Sequence, residues 1–125
     1  MIEVKHLNKG SYILHKGEPC RITEIGIVVT STHSHTKVKL KVEGLFTGLS
    51  ESFTLPPHER VEEVEIIRKL AQLISKEGER AQIMDMRSFE TLEAEIDQKL
   101  KDEISEGDNV TYVEFNGVAR VIEKR

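Results

Sequence analysis

Lysines stand at alternate positions in the run TKVKLKV: Lys37, Lys39 and Lys41, with Val38, Leu40 and Val42 between or beside them. On an extended chain a period of two sends these sets to opposite faces, one apolar and one cationic. A row of ammonium groups suits phosphate, which is bound by charge and donors rather than by base sequence. The preceding segment TSTHSHTK adds hydroxyls and imidazoles that serve the same purpose. Thr30, Ser31, Thr32, His33, Ser34 and His35 therefore join Lys37, Lys39 and Lys41 as candidate RNA contacts. The competing reading of the stripe is an ordinary solvated strand face.

Other chemistry finds less support. His33 and His35 share a side if the segment is extended, but two ligands do not make a metal site. A third would have to come from His15, His58 or a carboxylate, and no spacing requires it; no metal and no cofactor are expected. Asp85, Glu90 and Glu93 are acids on neighbouring strand signals that could do acid–base work in a shared pocket. With no pocket signal they read as solvated outward faces. Gly78 and Gly107 stand alone among acidic residues, so no phosphate loop is present. Cys20 falls on an alternating strand, where packing is the expected role. No catalytic residue is assigned, and an enzyme is not expected.

The balance of the chain agrees. It has 125 residues, 38% hydrophobic and 32% charged, with a formal net charge of -4, which describes a globular protein without a global basic field. The charge is uneven: cations and anions balance up to Glu63, and the whole deficit falls on residues 64–125. All the histidines lie in the first half, so a basic surface should be local and N-terminal. One cysteine excludes an internal disulfide and fits a reducing compartment. The start MIEVKHLNKG has no apolar leader core, and no run is long enough to span a membrane. The expected location is cytoplasmic, with no membrane partner.

The elements that must position these residues are mostly strands. SYILH (11–15) and PCRITEIGIVV (19–29) flank a turn at HKGEP. Ile25, Ile27 and Val29 alternate so that this strand can pair with 37–42, apolar faces aligned, and a phase slip after Ile22 predicts a bulge near Thr23. SESFTL (50–55) is a further strand, ended by Pro56-Pro57. Then VEIIRKLAQLIS, RAQIMDM and FETLEAEI read as strands. Asp97 caps a helix of about two turns with Ile96, Leu100 and Ile104 on one side. NVTYVEF and VARVIE close the chain as a hairpin on Asn116-Gly117. Three strands, a helix and two strands is the order of an OB-fold. The expected domains are 1–60 and 61–125.

These stretches resemble the translation initiation factor 5A family, archaeal and eukaryotic relatives of bacterial elongation factor P. GEPCRI (17–22) is similar to its first hairpin, EGLF (43–46) to the strand after its exposed loop, and AQIMDMRSFETLE (81–93) to its second-domain signature. The resemblance implies an all-β chain: an N-terminal SH3-like barrel with an exposed loop at 30–36, then a C-terminal OB-fold with one short helix. It also implies a ribosome-binding factor whose loop-tip lysine is converted to hypusine.

Aligned without a gap from Cys20, that lysine falls on Thr32, His33 matches the family's histidine and Lys37 its final lysine. Ser31 and Ser34 stand where glycines are usual, and Val29 where a lysine is usual. A threonine hydroxyl is short and neutral and cannot accept the aminobutyl group, so hypusine should be absent. The expected function is that of a ribosome- and RNA-binding translation factor of this kind, contacting rRNA or tRNA backbone, as a monomer or weak homodimer. The alternative is a self-assembling structural protein built on the same fold.

Overall fold

The computed structural model describes residues 1–29 and 35–125. The chain divides into two compact units, Met1–Glu65 and Ile66–Arg125, and among the described residues it is all-β apart from one short helix and one 3-10 turn.

The first unit opens with β1 (Ile2–Glu3) and the 3-10 turn Val4–His6. Then come β2 (Tyr12–His15), β3 (Glu18–Val29), β4 (Thr36–Gly44), β5 (Ser50–Leu55), β6 (Arg60–Val61) and β7 (Glu63–Val64). Five of these form one antiparallel sheet in the order β5-β4-β3-β2-β7, and β1 pairs with β6. The sheet is that of the SH3-like barrel. Its core is Val4, Leu7, Ile13, Cys20, Ile22, Val38, Leu40 and Val42, with Ile25, Phe53 and Leu55 packed at its margin. The bulge falls where the phase slip places it: the β3–β4 register shifts between Ile22 and Glu24. Beyond it, Ile25 stands opposite Leu40 and Ile27 opposite Val38. One extra residue thus keeps the apolar sets on the same face along both halves of β3.

The second unit holds β8 (Lys69–Glu77), β9 (Arg80–Asp85), β10 (Thr91–Glu95), helix α1 (Gln98–Glu103), β11 (Asn109–Phe115) and β12 (Val118–Lys124). They close into a barrel in the order β10-β12-β11-β8-β9. The parallel pairing of β10 with β12, Ala94 opposite Ala119, seals it. This is the OB-fold. Ala71, Leu73, Ala81, Ile83, Ala94, Val110, Tyr112 and Val121 form its core, and Ile96, Leu100 and Ile104, flanking or within the helix, belong to the same buried cluster.

Helix α1 is too short to stand alone and is held at both ends. At its start the Asp97 carboxylate accepts from the Leu100 N–H at 2.7 Å. At its end the Lys76 ammonium donates to the carbonyl of Lys101 at 2.6 Å and to that of Ile104, satisfying acceptors a helix end leaves unpaired. The β11–β12 turn places Asn116 and Gly117 at φ 52 and 77, both left-handed, as a type I′ turn requires.

The first unit runs to Glu65, and Glu63 and Val64 pair with Ile13 and Tyr12 of β2. The strand expected from VEIIRKLAQLIS correspondingly starts at Lys69, and residues 65–68 belong to no strand.

Candidate nucleic-acid interface

The lysine stripe sits on β4, the strand between β3 and β5. Val38, Leu40 and Val42 are 3%, 0% and 1% exposed, while Lys37, Lys39 and Lys41 are all exposed on the other face. The inward set contributes to the core, so the lysines cannot turn inward without dismantling the unit. Lys39 lies between Gly26 of β3 and Thr54 of β5, and Lys41 between Glu24 and Ser52. Gly26 carries no side chain and has open space above it, so the middle of the stripe is unobstructed. Ser50, Ser52 and Thr54 add a row of exposed hydroxyls along β5. None of the three lysines makes an ion pair among the described residues.

At the far end, β5 pairs with β4 only as far as Leu55 opposite Val38. The last rungs, Lys37 opposite Val28 and Thr36 opposite Val29, therefore form a two-stranded ribbon. Val29 in this ribbon is 64% exposed, and Ile27, on the last rung before it, is 76% exposed. His35, also exposed, leads into β4. Thr30, Ser31, Thr32, His33 and Ser34, and with them most of the expected loop 30–36, lie outside the described residues. Among the described residues no cluster of three or more His, Cys, Asp or Glu could hold a metal.

The opposite corner of this unit is held by carboxylates. Glu18 accepts from the N–H groups of Phe46 and Thr47 at 2.9 and 3.1 Å and from the Thr47 hydroxyl at 2.8 Å. A Cβ on Gly44 would lie 2.6 Å from that hydroxyl and 2.7 Å from Glu18, which explains glycine there. His15 stacks on Phe53 with centroids 4.8 Å apart and meets Glu51 at 2.8 Å. The imidazole, with Lys16 beside it, holds the Glu51 carboxyl below its ordinary range. Cys20 is buried, and burial pushes its thiol up, with Glu18 and Glu51 adding to the effect. It is an inert packing residue.

In the second unit the outward face of β9 and β10 is neutralised in pairs. Arg80 meets Glu93 at 3.1 Å, and Arg120 of β12 meets Glu95 at 2.9 Å. Asp85, expected on a solvated face, is instead buried. It accepts from the Tyr112 hydroxyl at 2.5 Å and from the N–H groups of Arg87 and Ser88 at 2.8 and 2.9 Å. The Tyr112 hydroxyl and those two amides draw its carboxyl down to about 2, while burial, then the carboxylate, pushes the Tyr112 phenol up. The phase of β9 carries the signal for this, since Ala81, Ile83 and Asp85 share the inward positions.

An SH3-like unit followed by an OB-fold is a two-domain all-β architecture shared with translation factors of one family. The N-terminal domain model described as "Translation initiation factor 5A-like, N-terminal" matches residues 1–56. The chain is 34% identical to the translation initiation factor 5A of Methanopyrus kandleri, over 97% of this chain and 90% of that one. It is 32% identical to the Archaeoglobus fulgidus protein of that name, over 96% and 94%. A solved structure of the factor from Methanococcus jannaschii superposes with a TM-score of 0.75 at 28% identity, covering 99% of this chain and 92% of that one. The chain belongs to the translation initiation factor 5A family.

Proposed function

We propose that this chain is a translation factor that binds the ribosome through RNA backbone and does so without hypusine. The observation that carries the reading is the stripe of Lys37, Lys39 and Lys41: three exposed ammonium groups on one strand face, unpaired among the described residues. Phosphates of rRNA or tRNA are the ligands that such a face fits. His35 and the segment Thr30, Ser31, Thr32, His33 and Ser34 extend the contact. Thr32 occupies the place that the family resemblance gives to the modified lysine and offers no amine to modify.

On this reading the protein binds rather than catalyses, needs no cofactor, and works in the cytoplasm as a monomer or weak homodimer. Among the described residues no helix is long and apolar enough to cross a membrane. Nothing in the fold of the described residues favours a self-assembling scaffold, and the relatives at 32% and 34% identity are named as translation factors.

Ribosome pelleting through a sucrose cushion, combined with intact-mass analysis, tests both halves. The protein should pellet with ribosomes at low salt. Its mass should not change after treatment with deoxyhypusine synthase, spermidine and NAD. Failure to pellet defeats the binding half; an added aminobutyl group defeats the other.

A further inference from the structure

The signature stretch 81–93 holds a feature that the lysine stripe does not use. Phe89, at the turn between β9 and β10, has φ 63 and is 68% exposed. A bulky residue in the left-handed region is strained, and glycine or asparagine would occupy that position at less cost. An aromatic ring left in water also forgoes the stabilisation that burial would give it. Folding alone therefore gives two reasons against phenylalanine at this position.

The turn is nevertheless fixed. The Phe89 N–H donates to the Asp85 carbonyl at 2.8 Å, and the Asp85 N–H donates to the Glu90 carbonyl at 2.9 Å. The Asp85 carboxylate holds Arg87 and Ser88 from inside the barrel, itself anchored by Tyr112. A strained conformation so heavily determined by its surroundings points to function.

Arg87, two residues before the ring, is exposed and makes no ion pair among the described residues. It lines a cavity of about 600 Å³ with Ile67, Leu70, Leu92 and Tyr112. Nearby acids are partly spoken for: Asp85 is turned inward, and Glu114 meets Lys69 at 3.3 Å. Glu90 remains at the rim, which favours a single stacked nucleotide over a tracked backbone.

We propose that Phe89 and Arg87 form a second RNA contact, in which an unpaired base of single-stranded RNA stacks on the Phe89 ring and Arg87 meets the adjoining phosphate. Such stacking is the usual way proteins hold unpaired bases. The inference rests on the RNA partner proposed above but places the OB unit's contact at the β9–β10 turn, away from its ion-paired sheet face.

The chain contains no tryptophan, so Phe89→Trp installs a single indole reporter. Titration with a fluorescently labelled single-stranded RNA dodecamer is followed by anisotropy and by indole emission. Emission from the Phe89→Trp variant should quench along the anisotropy isotherm. Indole at exposed Leu49 of the first unit, as Leu49→Trp, should not quench. Phe89→Gly removes the ring and relieves the left-handed strain, so it should melt no lower than the parent while binding at least about fivefold more weakly.

RNA binding by anisotropy with silent emission in Phe89→Trp, or full affinity in Phe89→Gly, overturns the stacking site and leaves the lysine reading standing. No RNA binding by the parent chain overturns both. Phe89→Trp emission that responds to ribosomal proteins but not to RNA overturns the site in favour of a protein partner.

Discussion

Replacing Lys37, Lys39 and Lys41 with glutamine tests the phosphate reading in a form that can be calculated. Alternate residues on a strand stand about 6.7 Å apart, so the stripe runs about 13 Å from Lys37 to Lys41. That is long enough for the three ammonium groups to meet separate phosphates. Each such contact on a single strand adds about 0.7 to the slope of log K against log salt. The three together contribute about 2.1. Between about 50 and 200 mM salt the parent should therefore lose about 20-fold more affinity than the triple variant.

Glutamine keeps the length and polarity of the side chain, and the core set Val38, Leu40 and Val42 is untouched, so the fold should be unaffected. Lys16→Gln serves as the control, because that ammonium already meets Glu51 at 3.1 Å; its slope should match the parent's. Anisotropy with labelled RNA across a salt series reads both quantities. Equal slopes for the parent and the triple variant would return the stripe to an ordinary solvated face.

Two further outcomes concern stability. Asp97→Ala removes the acceptor for the Leu100 N–H and should cost about 1 kcal/mol, read as a lower urea midpoint; an unchanged midpoint would mean that the Lys76 contacts alone hold the helix. Asp85 titrates at about 2 in the folded chain because Tyr112 and two amides stabilise its charged form, whereas an unfolded aspartate titrates near about 3.9. Its contribution is therefore complete above about pH 4 and is lost as pH falls toward about 2. Urea midpoints should fall across that window in the parent and less steeply in Asp85→Asn; parallel curves would refute the assignment.

Much of this architecture was legible because strand patterns repeat every second residue. The alternation of Lys37, Val38, Lys39, Leu40, Lys41 and Val42 gave the faces of β4, and the break in phase after Ile22 gave the bulge. The Asp97 cap and the Asn116-Gly117 turn were equally plain, since each uses a residue whose chemistry is local. The short strands β1, β6 and β7 were not legible: two residues carry no period, and their partners lie about 50 or more positions away. Asp85 was misread because an acid between apolar residues looks solvated until Tyr112, 27 positions later, supplies a hydrogen bond inside the barrel. Phe89 was missed for a related reason. Its exposure follows from the Asp85-centred turn, and that turn depends on the buried carboxylate.

The two units differ in how their charges are spent, and that difference constrains how RNA could be held. In the second unit the sheet-face arginines are committed to Glu93 and Glu95, and Lys124 meets Asp108 at 3.5 Å. A phosphate approaching that face would have to displace a carboxylate from each cation while being repelled by the acids so released. In the first unit the stripe asks for no such exchange. Glu24 stands opposite Lys41 at one end, but Lys39 faces Gly26 and Lys37 faces Val28. The strength of the field therefore rises along β4 toward His35 and the exposed end of the ribbon. On the proposed reading, which assigns no modified lysine, charge on the strand itself must do the work. The lysine nearest the ribbon's end, Lys37, should then contribute most to affinity and Lys41 least. Single glutamine variants at the three positions, titrated with the same labelled RNA at low salt, read that order; equal losses at Lys37 and Lys41 would refute it.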